Sequence, residues 1–223
     1  MAGEVMLSKT RGIGMTSQRT RDRMVVRLRE KGIRDEAVLA AMAAVPRHIF
    51  IEEAFASRAY EDTALPIGFE QTISQPFVVA RMIEALCGEG SLGNVLEIGT
   101  GCGYQAALLA RLAKEVYSVE RIAGLLEKAR GNLRPLRLSN LRLVHADGTR
   151  GLPEAAPFDG IIVAAAAPRI PGALLQQLAP GGRMIVPVGS GDQALCLIER
   201  TVSGLTEKWL DAVRFVPLRG GKQ

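Results

Sequence analysis

The sequence predicts an α/β fold built on a doubly wound, mostly parallel sheet, with a helical addition on its N-terminal side and an antiparallel C-terminal edge. Three observations carry this. From Asn94 onward, short apolar runs alternate with helical segments, the pattern of strands joined by crossover helices. A glycine-rich turn, Gly99-Thr100-Gly101-Cys102-Gly103, closes the first of those runs, and open parallel sheets take their ligands at such strand ends. Before Asn94 the apolar residues recur at helical spacing instead.

At 223 residues the chain suits one core rather than two. Residues 1–16, rich in Gly, Ser, Lys and Arg, read as a disordered tail. Residues 17–223 read as a single domain, with helices and a functional loop over 17–90 and the sheet over 91–223. Arg19, Arg21, Arg23, Arg27 and Arg29 are expected on the solvated face of a helix whose other side carries Val25, Val26 and Leu28. Asp35 can cap a second helix with Val38, Leu39, Met42 and Val45 on one face, ended by Pro46. Another helix starts near Pro76, runs through Val78, Val79, Met82, Ile83 and Leu86, and stops at Gly88. Between them Ala59–Gln75 is too long and too polar for a turn, which marks a functional loop.

Strands are expected at Asn94–Ile98, Glu115–Val119, Leu141–His145, Asp159–Val163 and Arg183–Val188, with crossover helices covering both faces. Ala194–Glu199 and Lys208–Val216 follow with no helix between them, which predicts the antiparallel hairpin at the edge.

The formal charge of +5 would suit an anionic partner, and the excess sits early in the chain. No aromatic residue is interleaved with the basic run as a base-stacking surface requires, so nucleic acid is not the expected partner. Cys87, Cys102 and Cys196 are odd in number and unpaired in spacing, which reads as reduced thiols in a cytoplasm rather than a disulfide framework or a zinc site; no metal is expected. No apolar run is long enough to span a bilayer, and no secretory signal precedes the first helix, so the protein is expected to be soluble and cytoplasmic.

A dinucleotide fingerprint G-x-G-x-x-G would need glycine where this chain has Tyr104; its pattern is G-x-G-x-G, with no phosphate-binding lysine after it. S-adenosylmethionine has no phosphate and is cationic at its sulfonium and ammonium groups. Glu97 beside Gly99, Thr100, Gly101, Gly103 and Tyr104 therefore suits that cofactor. Taken alone, the turn is equally a tight strand-to-helix connection. Glu120, seventeen positions after Gly103, ends the second strand, where its carboxylate can accept from both ribose hydroxyls. Asp147, followed by Gly148, ends the third and can accept from an adenine amino group. Either acid alone also reads as a surface acid or a cap. Suitable groups at all three strand ends favour the nucleoside cofactor.

More specific segments are Val45-Pro46-Arg47, Y-E-D-T-A-L-P-I over Tyr60–Ile67, and Gln71-Thr72-Ile73-Ser74-Gln75-Pro76. With Pro157-Phe158-Asp159, the run from Ala167-Pro168 to Ile170-Pro171, Pro180-Gly181-Gly182 and Val213-Arg214-Phe215-Val216-Pro217-Leu218, they make Ser17–Leu218 resemble the protein-L-isoaspartate O-methyltransferases. These are Rossmann-like class I methyltransferases. The resemblance implies S-adenosylmethionine as methyl donor and damaged proteins or peptides containing isoaspartyl residues as partners. The free α-carboxylate would be methylated, and the ester would expel methanol to give a succinimide that partly hydrolyses to aspartate. It also implies an unusual order for the last strands. The stretch Ala164-Ala165-Ala166-Ala167 lacks the hydroxyl residue often found there in relatives.

A carboxylate is already ionised at neutral pH and needs no general base, and His48 and His145 read as packing or surface residues. With the resemblance, Ser74 becomes the candidate catalytic residue, its hydroxyl orienting the isoaspartyl carboxylate. From the residues alone, Ser74 reads more simply as a cap for the helix entered at Pro76, and the two roles can coexist. Ile73, Asp62 and Thr63 belong to the same loop, while Arg214 meets either the peptide or only the sheet edge. Two alternatives stay open: a methyltransferase acting on RNA or a small molecule, which the charge favours, and a non-catalytic nucleoside-binding module, against which the I-S-Q-P segment stands.

Overall fold

The computed structural model describes residues 12–88 and 90–223. Residues 1–11 of the expected tail lie outside the described residues, and Gly14–Thr16 form a 3-10 turn. Helix α1, Gln18–Glu30, buries Arg21, Met24 and Leu28, a stripe at helical spacing. Arg19, Arg23, Arg27 and Arg29 are exposed, as expected of a solvated arginine face, but the expectation is corrected for Arg21 and Val26. Val26 is exposed, whereas the Arg21 guanidinium is buried and donates to the Tyr60 hydroxyl at 3.2 Å and the Ala43 carbonyl at 3.2 Å. Its acceptors come from later elements, which a local pattern does not contain.

Helix α2, Glu36–Ala44, is capped by Asp35, which accepts from the amides of Ala37 (2.8 Å) and Val38 (3.1 Å). It stops ahead of Pro46, whose ring disfavours a helical residue before it. Short 3-10 turns at Arg47–Phe50 and Glu53–Arg58 lead into the predicted loop. That loop holds an antiparallel hairpin, β1 (Leu65–Gly68) and β2 (Gln71–Ile73). Helix α3, Pro76–Cys87, has Pro at its first position and ends at Gly88 with φ of 54°, as the sequence indicates.

The main sheet comprises β3 (Leu92–Ile98), β4 (Ala113–Glu120), β5 (Leu141–His145), β6 (Phe158–Val163), β7 (Leu178–Val188), β8 (Gln193–Thr201) and β9 (Gly204–Val213). Its order is β5-β4-β3-β6-β7-β8-β9. The neighbours from β5 to β7 run parallel, and β8 and β9 each pair antiparallel with the strand before. The predicted edge is present. β7 starts earlier than expected, because Phe158 pairs with Leu178 and Gly160 with Arg183, leaving residues 179–182 as a bulge. The Pro180-Gly181-Gly182 run in that bulge reads as a turn from sequence.

Alternation along the strands divides the core in two. Val95, Ile185 and Leu197 pack on one face with Met42, Ile83, Leu108 and Leu125. These come from α2, α3 and the helices α4 (Tyr104–Leu109) and α5 (Ala123–Leu133). Leu96, Ile98, Met184 and Val186 face the other way, against Phe158 and Leu174. This second face is covered more thinly than expected. Between β5 and β6 lie only the 3-10 turns Gly148–Arg150 and Pro153–Ala155, and between β6 and β7 a single short helix, α6 (Gly172–Leu175). The β5–β6 connection is short and holds Gly148, Gly151, Pro153 and Pro157, which oppose a helix there. The chain reverses direction across the sheet between β3 and β6, which leaves a crevice at their carboxyl ends.

Candidate functional site

A cavity of about 500 Å³ opens at that crevice, within the ordinary size of a small-molecule site. The glycine-rich turn forms its floor. Gly99, Gly101 and Gly103 have φ of 94°, 55° and 91°, a region in which a side chain is strained. The amides of Gly99 and Thr100 donate to the Val119 carbonyl at 2.8 and 3.2 Å, fastening the turn to the end of β4. Gly99, Thr100, Gly101, Cys102 and Tyr104 line the cavity. Gly103 supports it from behind, where a Cβ would meet Leu133 Cδ1 at 2.9 Å. Burial pushes the Cys102 thiol up to about 11, so at neutral pH it is no thiolate nucleophile.

Glu120 lines the same cavity and is 5% exposed. Its Oε2 accepts from the Gly101 amide and its Oε1 from the Ile122 amide, both at 2.9 Å. Each oxygen keeps a second lone pair, so the residue fastens the turn and still presents an acceptor.

Glu97 is placed otherwise than expected. It is fully buried and does not line the cavity, because it alternates with Leu96 and Ile98 and so shares the face of Val95. The Ser118 hydroxyl donates to its Oε2, and Thr100 Oγ1 lies 2.6 Å from Ser118 Oγ. Glu97 Oε1 and Gln105 Nε2 are buried without a hydrogen bond among the described residues. Burial pushes the Glu97 carboxyl up to about 8 against the bond from Ser118. Its burial favours the uncharged form, and it stands behind the turn rather than in the cavity lining.

Gly148 lines the cavity, and a Cβ there would meet Ile98 Cγ2 at 2.5 Å. Asp147 does not line it. Its Oδ1 accepts from the Thr149 amide (2.9 Å) and hydroxyl (2.6 Å), and its Oδ2 from the Gly221 amide (2.7 Å). Burial alone would raise its pKa; the bonds from Thr149 and Gly221 outweigh that and hold it below the usual carboxylate range. The expected adenine acceptor is thus occupied as a cap, by a partner some seventy residues later in the chain.

That partner belongs to a wall the sequence reading missed. Leu218, Arg219 and Gln223 line the cavity. The Gln223 amide donates to the Arg121 carbonyl at 2.7 Å, and the Ala123 amide to the Gln223 carbonyl at 2.8 Å. The run R-G-G-K-Q has no periodicity that would reveal this. Ala164 and Ala165 also line the cavity, and Ala166 exchanges backbone bonds with Val216 and Leu218 at 2.8 and 2.7 Å. Arg214 is exposed and outside the cavity, while Val216–Arg219 line it.

On the opposite rim β2 delivers Ile73 and Ser74. Ser74 does not cap α3: the cap residue is Gln75, without a side-chain bond, and the Phe77 amide donates to Asp62 Oδ1 at 2.8 Å. The Ser74 hydroxyl makes no hydrogen bond among the described residues. Asp62 also pairs with Lys31, and the Thr63 carbonyl accepts from Arg47; neither Asp62 nor Thr63 lines the cavity. The hairpin tip, Phe69 and Glu70, does line it. A Cβ on Gly124 would stand 2.4 Å from the Phe69 ring, so the tip sits directly on the start of α5. His48 Nδ1 lies 2.8 Å from the Tyr60 hydroxyl and His145 Nε2 3.0 Å from the Arg121 carbonyl, both away from the cavity.

Among the described residues no group of three or more His, Cys, Asp and Glu could hold a metal ion, and no helix is long and apolar enough to cross a membrane.

A strand order that reverses beside a glycine-rich turn, with an acid at the next strand end facing the cavity, defines a class I methyltransferase type of α/β protein. The profile of the family "Protein-L-isoaspartate(D-aspartate) O-methyltransferase (PCMT)" matches residues 19–223. The protein-L-isoaspartate O-methyltransferase of Dechloromonas aromatica (strain RCB) is 70% identical over 213 residues, covering 95% of this chain and 99% of the relative. A solved protein-L-isoaspartate O-methyltransferase superposes with a TM-score of 0.81 at 31% identity, over 90% of this chain and 66% of that one. A putative one from Plasmodium falciparum, solved with S-adenosyl-L-homocysteine, gives 0.75 at 26% identity, over 89% and 98%. The chain belongs to the protein-L-isoaspartate O-methyltransferase family, whose members are S-adenosylmethionine-dependent repair enzymes acting on damaged proteins.

Proposed function

We propose that this chain methylates the free α-carboxylate of L-isoaspartyl residues in damaged proteins and peptides, with Ser74 as the residue that orients the acceptor. The observation that carries this reading is the Ser74 hydroxyl, unspent on capping and lining the same cavity as the glycine-rich turn.

The cofactor fits what is there. The cavity has the volume, Gly148 and the turn bring backbone to its lining, and Glu120 keeps acceptor capacity. When bound, S-adenosylmethionine supplies a methyl group on a sulfonium. The residues assigned to hold it are Gly99, Thr100, Gly101, Tyr104, Glu120 and Gly148, with Phe69, Leu218, Arg219 and Gln223 closing the walls. Gly103 shapes the turn from behind, and Glu97 holds it through Ser118 and Thr100. Asp147 acts on the adenine end only by fastening Gly221. The acceptor carboxylate is its own nucleophile, so no base is required, which agrees with both histidines lying elsewhere. What the protein supplies is alignment and exclusion of water. Asp62 and Thr63 shape the acceptor loop without touching the substrate, and Arg214 stays at the edge. The product ester then cyclises to a succinimide without further help from the chain.

Three free cysteines support a reducing, cytoplasmic setting. Methyl transfer from labelled cofactor to an isoaspartyl peptide, its aspartyl counterpart and bulk RNA tests the reading. Label in the isoaspartyl peptide alone is expected; label in RNA, or in both peptides equally, overturns it.

A further inference from the structure

Arg47 is buried in the interior and forms no ion pair among the described residues. The side chain is 0% exposed. Its Nε donates to the Ala59 carbonyl at 2.9 Å and one terminal nitrogen to the Thr63 carbonyl at 3.4 Å, while the other has no hydrogen bond among the described residues. The guanidinium lies over the Tyr104 ring, 5.0 Å from its centroid. Buried charges are normally paired. The nearby acid, Asp62, is engaged instead by Lys31 and the Phe77 amide. An unpaired buried cation is not explained by stability, so its contacts point to position.

Those contacts join the two halves of the site. Ala59 and Thr63 stand at the start of the acceptor loop, on either side of Asp62, which in turn accepts from the Phe77 amide at the start of α3, three residues after Ser74. Tyr104 follows the last glycine of the cofactor turn and lines the cavity. One rigid, planar group therefore holds the acceptor loop with its fork and rests its face on the cofactor turn. We infer that Arg47 is a positioning residue that sets the separation between the acceptor carboxylate at Ser74 and the methyl donor, without touching either. The inference rests on the functional reading above.

In-line transfer is sensitive to this separation, since a displacement of about 1 Å can lower a rate about a hundredfold. Arg47→Lys keeps the charge but loses the fork and the stacked plane; Arg47→Gln loses the charge as well. Single-turnover methyl transfer to an isoaspartyl peptide, the peptide KM, and the Kd for S-adenosylhomocysteine are measured on both, beside thermal melts. A fall in rate of about ten- to a hundredfold in both variants is expected, with KM and Kd within about threefold. A purely structural role would lower the melting temperature and leave the rate of the folded protein intact, which overturns the inference. Restoration of the rate by lysine overturns it too, because charge alone would then suffice. Should neither variant fold, Asp62→Ala, on the loop that Arg47 holds, must show the same loss of rate at unchanged Kd; a wild-type rate there is equally fatal. Wild-type protein that leaves the isoaspartyl peptide unmethylated overturns the functional reading itself, and is read before any variant.

Discussion

At the scale of single residues, the decisive fact is which polar groups are already spent. Asp147 and Asp62 have both carboxylate oxygens committed to the fold and Glu97 has one, whereas the Ser74 hydroxyl is uncommitted among the described residues. Ser74→Ala is therefore expected to slow methyl transfer about ten- to a hundredfold. Affinity for S-adenosylhomocysteine and the melting temperature should barely change, because no cap is lost. A drop in melting temperature with full activity would return Ser74 to a structural role. Glu97 gives a pH signature. In the unfolded chain its carboxyl titrates near ~4.3, in the folded protein near about 8. Across that window the folded state holds a proton that the unfolded state has released, so stability is greatest below the unfolded value and is lost as pH rises through the folded one. Thermal melts from pH 5 to 8.5 should fall more steeply for wild type than for Glu97→Gln. Equal slopes would show that Glu97 is ionised throughout.

Among the elements, the β1–β2 hairpin was hidden in the sequence for a local reason. Its two-residue turn is Phe69-Glu70, with φ of 54° and 57°, where tight hairpins usually carry Asn-Gly. The Phe69 ring packed on Gly124 explains the choice at the first position; nothing in the structure explains Glu70. Glu70→Gly should relieve left-handed strain of about 1 kcal/mol and raise the melting temperature by about 2–4 °C for a domain of this size. A lowered melting temperature would show that the Glu70 side chain stabilises the tip. The α3 start shows the converse: Pro76 and Gly88 mark it in the sequence, but its capping acceptor is Asp62, from a loop fifteen residues earlier.

For the whole molecule, the C-terminal residues turn an open crevice into a cavity with a fourth side. They are held through Gly221 to Asp147 and through Gln223 to Arg121 and Ala123. Deleting residues 219–223 is expected to weaken S-adenosylhomocysteine binding about tenfold or more, with a small effect on thermal stability, since the core clusters on both faces of the sheet lie elsewhere. Calorimetry on the truncated and full chains makes the comparison. Unchanged affinity would mean that the segment merely lies on the surface.

The alternating strands, the glycine-rich turn, the caps at Asp35, Pro76 and Gly88 and the acid at Glu120 were determined by the sequence alone, because each follows from local periodicity, backbone sterics or a short fixed spacing. The segment around Ser74 was equally legible as a motif. What only the tertiary structure decided was which acids face the cavity and which are consumed. Glu97, Glu120 and Asp147 all stand at strand ends, yet strand alternation turns the first inward, and a bond from Gly221 claims the third. The burial of Arg21 and Arg47 was decided in the same way, by carbonyls and rings from distant segments. A side chain's neighbours across the sheet and its remaining hydrogen-bonding capacity are long-range quantities, and they exist only once the chain has closed on itself.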